Sequence, residues 1–120
     1  MNSKQFLTIG GIILLVLGIV GFIFPNLLGD LLKFDIYENV IHTILGIVAL
    51  GATYWTGANV QKQLVRVLGV IALVVGVWGF LRAGQPEPNF FGANLENPID
   101  NILHVVVGLW GVWVGWWGKA

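Results

Sequence analysis

Four apolar stretches, each close to the length of a membrane span, leave this chain of 120 residues few ways to fold. They run from about Phe6 to Phe24, Ile36 to Thr56, Val65 to Leu81 and Pro98 to Trp117. A hydrocarbon core about 30 Å thick is crossed by about 20 helical residues. In lipid every backbone N–H and C=O must be satisfied within the segment, so such spans are helices rather than open strands. The expected fold is all-α, a four-transmembrane-helix bundle forming a single integral membrane domain over residues 1–120. The first stretch ends without a small-x-small cleavage site and has a counterpart later in the chain. It is therefore read as a retained span and not as a signal peptide.

Composition agrees. The chain is 57% hydrophobic and 10% charged, where a soluble domain carries about a quarter charged residues. It has no cysteine, so neither disulfides nor a thiolate metal site. Its net charge is zero, and it lacks the basic and aromatic interleaving of a nucleic-acid surface. The expected partners are the lipid bilayer and other membrane subunits, with no nucleic acid.

The chain also repeats itself. Gly11, Gly18, Gly21 and Phe22 in the first span recur as Gly69, Gly76, Gly79 and Phe80 in the third, at a constant offset. Small residues so spaced form one stripe on a helix and let a neighbour approach closely. Pro25-Asn26-Leu27-Leu28-Gly29 recurs as Pro88-Asn89-Phe90-Phe91-Gly92, with an insertion around residues 83–87. Leu27, Leu28, Leu31 and Leu32 have the spacing of a short interfacial helical turn, and Phe90 and Phe91 are expected at the same interface. Residues 1–58 and 59–120 thus read as two copies of a two-helix unit. Two spans per unit give both copies the same orientation, a parallel repeat.

The most informative pair is Glu38-Asn39-x-x-His42-x-x-x-Gly46 and Asp100-Asn101-x-x-His104-x-x-x-Gly108. These segments hold both histidines of the protein. Asp35 and Asn97 are expected N-caps, which places Glu38 and Asp100 near the positive ends of their helix dipoles. Both acids are therefore read mainly as caps, with a secondary role as ligands. Gly46, Ala49 and Thr53 follow His42 on one face, and Gly108, Gly111 and Gly115 follow His104 on the matching one. Gly111 and Gly115 make a G-x-x-x-G packing pair. At 1.5 Å per residue each histidine sits roughly 9–10 Å below the start of its helix. Lys4, Lys62, Arg66 and Lys119 fall on one side of the bundle, and Lys33 and Arg82 on the other. The positive-inside rule then puts both termini in the cytoplasm, N-in and C-in.

Three readings of the histidines follow. In the first, Asn39, His42, Asn101 and His104 form an interhelical polar scaffold, and the protein is a structural or accessory subunit packed on a larger membrane complex. In the second, His42 and His104 ligate haem b or a chlorophyll-type pigment, with Gly46 and Gly108 leaving room for the ring. In the third, the protein is a small transporter, or holds a metal on its outer face through His42, His104, Glu38 and Asp100. Transport is opposed by the absence of a broken helix or midplane acid. No nucleophile–base constellation, phosphate loop or dinucleotide fingerprint is present, so no enzyme activity is expected.

The doubled Asn-x-x-His-x-x-x-Gly motif, with the glycine-rich first and third spans, resembles a family of small four-span membrane proteins of actinobacteria, cyanobacteria and other bacteria. That family is defined only as a domain of unknown function. The resemblance covers essentially the whole chain. It implies a four-helix protein of the bacterial inner membrane, cytoplasmic or thylakoid-type, and it implies no activity.

Overall fold

The computed structural model describes residues 1–24, 36–82 and 99–119. It is all-helical, with α1 at Ser3–Ile23, α2 at Ile36–Trp55, α3 at Ala58–Leu81 and α4 at Ile99–Trp117. All four helices are long and apolar enough to cross a membrane. The expected caps Asp35 and Asn97, the interfacial turn around Leu27–Leu32, Phe90 and Phe91, and the insertion at 83–87 lie outside the described residues.

Two helix starts differ from the sequence expectation. Helix α1 begins at Ser3 because Asn2 and Gln5 form a capping box. The Asn2 side chain accepts from the Gln5 N–H at 2.8 Å, and the Gln5 side chain accepts from the Asn2 N–H at 3.0 Å. Helix α3 begins at Ala58 rather than near Val65. Hydropathy locates the apolar part of a helix, whereas the backbone continues through the polar turn Asn59–Gln63. Gln61 belongs to that turn, is buried, and ties α3 to α2.

Helix α1 packs along α2 and α3 along α4, with α1 against α3 between the pairs. Helices α2 and α4 nowhere approach within 8 Å, Cα to Cα. The cross-section is therefore a rhombus with α1 and α3 on its short diagonal. Close approach within each pair rests on glycine. A Cβ on Gly46 would lie 2.8 Å from the Leu15 nitrogen, and one on Gly69 2.7 Å from the Val112 nitrogen. Backbone meets backbone at these positions, so any side chain would force the helices apart.

The apolar core lies at the end of the bundle that carries both termini. Phe6 and Leu7 of α1, Ala49 and Ala52 of α2, Val65 of α3 and Val114 of α4 form it, with Leu64, Leu68 and Trp110 packed against it. Phe6 and Trp110 pair with ring centroids 4.3 Å apart. The Trp110 indole N–H donates to Met1 Sδ at 3.2 Å, and Asn2 forms a backbone bridge with Lys119. Elsewhere the surface is apolar, with Ile12, Val16, Ile44, Val74 and Val106 each about half exposed. An apolar exterior that continues over all four helices suits lipid and not water.

Candidate functional site: two buried acid–asparagine–histidine clusters

At the end opposite the core, the groups buried between helices are polar. Glu38 and Asn39 in the first turn of α2 are buried, as are Asp100 and Asn101 in the first turn of α4, where Asn101 is 0% exposed. The glycine stripes of α1 and α3 make this burial feasible. A Cβ on Gly18 would lie 2.9 Å from the Thr43 nitrogen and 3.1 Å from the Asn39 carbonyl oxygen. A Cβ on Gly76 would lie 2.9 Å from the Val105 nitrogen and 3.0 Å from the Asn101 carbonyl oxygen. One turn further along, a Cβ on Gly21 would run into the Asn39 carboxamide and one on Gly79 into that of Asn101. Each asparagine side chain thus fills the volume that a missing side chain leaves on the neighbouring helix. Thr43 continues the polar seam by donating its hydroxyl to the Asn39 carbonyl at 2.8 Å.

The histidines border these clusters and are half-buried. His104 Nδ1 lies 2.7 Å from the Asp100 carbonyl oxygen and 3.1 Å from its carboxylate Oδ1. The backbone carbonyl can only accept, so Nδ1 carries the proton, and in the neutral ring Nε2 is the acceptor. Asp100 therefore does more than favour the helix dipole, since it orients the ring one turn below it. The Nδ1 partner of His104 is Asp100 and not the neighbouring Asn101. None of Glu38, Asn39, His42, Asp100 and Asn101 is left without a partner.

His42 and His104 are not brought together. They belong to α2 and α4, the two helices that do not approach one another. The set His42, His104, Glu38 and Asp100 is consequently not a single cluster. Among the described residues no group of three or more His, Asp or Glu is placed to hold a metal ion. Gly46 and Gly108 do not provide clearance for a macrocycle either. The backbone of α1 at Leu15 and of α3 at Leu73 already fills the space beside them. Gly111 and Gly115 lie against α3, a Cβ on Gly111 being 2.8 Å from the Gly69 Cα and one on Gly115 2.6 Å from Arg66 Cγ.

Two structural residues escaped the sequence reading. Gln61 Nε2 donates to the carbonyls of Ala52 and Thr56, each at 3.1 Å, closing the C-terminal end of α2. Arg66 Nε donates to the Gly115 carbonyl at 2.8 Å, and its guanidinium lies 5.0 Å from the Trp116 ring centroid. A charge or amide that interrupts the start of an apolar run was the available signal, and for Arg66 it had been used only to orient the bundle.

Four helices of spanning length with an apolar exterior mark a multi-pass membrane protein. Residues 4–117 match the model of a domain of unknown function, DUF4383, and the chain belongs to that family. No curated protein and no solved structure matches it.

Proposed function

We propose that this is a non-enzymatic structural or accessory protein of the bacterial inner membrane, packed laterally against a larger membrane complex. The observation that carries this reading is that the clustered acids and asparagines are buried, each asparagine against the glycine stripe of the neighbouring helix, and that none of them lacks a partner. What the protein offers to others is then its long apolar flanks. The bundle is two parallel two-helix repeats, 1–58 and 59–120. The matching contacts of Gly18 with Asn39 and Gly76 with Asn101 support this. Both termini are cytoplasmic, because Lys4, Lys62, Arg66 and Lys119 share their end of the bundle. Solubilisation in a mild detergent and affinity purification tests the role. Stoichiometric membrane subunits should co-purify, and a monodisperse protein recovered alone from its native membrane would sink the reading. A cysteine at position 119 should resist a membrane-impermeant maleimide in intact cells and react after lysis.

A second reading has one observation in its favour. Asp100 fixes the tautomer of His104 and leaves Nε2 as a lone-pair donor, the arrangement that steadies an axial imidazole ligand. Each histidine would then serve its own haem or chlorophyll-type ring at the flank of its own helix pair. A Soret or chlorophyll band in the purified protein, lost in His104→Ala, supports this reading, and a colourless protein from its native membrane rejects it.

A further inference from the structure

The end of the bundle that carries the termini contains a cavity of about 130 Å3, lined by Asn2, Ser3, Lys4, Ala58 and Gln61. Two helices start at its wall, α1 at Ser3 and α3 at Ala58. The first amides of a helix have no intrahelical acceptor. In α1 the Asn2 side chain takes only the Gln5 N–H, and the Asn2 carbonyl takes that of Phe6. The N–H groups of Ser3 and Lys4 remain. In α3 the N-cap is Gly57, which has no side chain to offer. Two positive dipole ends therefore meet at one cavity, and helix starts of this kind bind anions.

An independent observation points to a ligand. Ser3 is 5% exposed and lines the cavity, yet its hydroxyl has no hydrogen-bond partner among the described residues. The oxygen is not sealed off, so its remaining accessible surface faces the cavity, and its partner has to come from there. The Lys4 side chain adds a cation at the rim. No described acid opposes it, since Glu38 and Asp100 both lie at the far end of the bundle. The C-terminal end of α2, which would repel an anion, is closed by Gln61. The exposed rings of Tyr54, Trp55 and Trp117 lie at the same end, at the level where aromatic belts meet lipid headgroups.

We propose that this cavity binds the phosphate of an anionic phospholipid headgroup through the Ser3 hydroxyl, the Lys4 ammonium and the first-turn amides of α1 and α3. A phosphate offers acceptors to all of these donors at once, and the acyl chains can lie along the apolar flanks of α1 and α3. The test uses the full chain in detergent, with lipid retention read by native mass spectrometry and protection by thermal unfolding. Phosphatidylglycerol should be retained and should raise the unfolding midpoint, and phosphatidylcholine should do neither. Lys4→Gln and Ser3→Ala should each weaken phosphatidylglycerol retention about tenfold, the size of one lost charge-assisted hydrogen bond. Lys119→Gln removes the same charge at the same end but outside the cavity, and should leave retention unchanged. Ser3→Ala removes one oxygen that makes no hydrogen bond among the described residues, so little folding energy is lost with it. Equal retention of the two lipids, or an equal loss in Lys119→Gln, would overturn the proposal. Full protection by inorganic phosphate alone would assign the cavity to the free ion and overturn the lipid source.

Discussion

Alanine substituted at two glycines should act with opposite sign. A Cβ on Gly76 would lie 2.6 Å from Val105 Cγ2, 2.9 Å from the Val105 nitrogen and 3.0 Å from the Asn101 carbonyl oxygen. Carbon contacts are comfortable at about 3.5–4.0 Å, so α3 and α4 must part locally by roughly 0.5–1 Å, which forfeits a quarter to a half of each dispersion contact across the seam. At ~0.1–0.2 kcal/mol per atom pair, and with roughly two dozen pairs affected, the loss is about 1–2 kcal/mol. That agrees with the usual ~1–3 kcal/mol cost of overpacking. Replacing Gly with Ala in a helix returns up to about 1 kcal/mol. Gly76→Ala should therefore be destabilising by about 1 kcal/mol. On Gly10 a Cβ meets nothing within 4 Å, so Gly10→Ala keeps the propensity gain and should be neutral to stabilising by up to about 1 kcal/mol. Reversible unfolding in mixed micelles, followed by circular dichroism, measures both. If Gly76→Ala proves as stable as Gly10→Ala, the close-approach reasoning fails for the whole seam.

Gln61→Leu removes the two 3.1 Å hydrogen bonds to the Ala52 and Thr56 carbonyls. It should cost about 1–3 kcal/mol in the same unfolding assay because buried acceptors are left behind, and an unchanged midpoint would contradict that role. Arg66→Ala loses both the Gly115 hydrogen bond and the stacking on Trp116. A loss of about 1–2 kcal/mol is expected, with Arg66→Lys recovering only part because lysine lacks the planar fork. Full recovery by lysine would show that charge alone matters there.

Much of the fold was legible locally. Gly11, Gly18 and Gly21 lie on one stripe at helical spacing, and all three are buried. Asn39 and Asn101 were marked as polar groups within apolar spans, and both are buried against the neighbouring helix. A span and its packing face are set by hydropathy and the 3.6-residue turn, which a single segment contains. The start of α3 was less legible, because the polar turn around Gln61 is held by carbonyls of α2 and not by its own composition.

Four apolar helices, two glycine-lined seams and two acid–asparagine–histidine clusters at the starts of the second and fourth helices follow from the sequence alone. Tertiary structure alone decided how those parts combine. It put His42 and His104 on the two helices that stay apart, so the clusters serve separate pairs. It filled the space beside Gly46 and Gly108 with neighbouring backbone. It also brought the starts of α1 and α3 to one cavity. The physical reason is range. Helical periodicity orients a side chain within its own segment, while the choice of which helices touch depends on surfaces that meet only after the chain has doubled back.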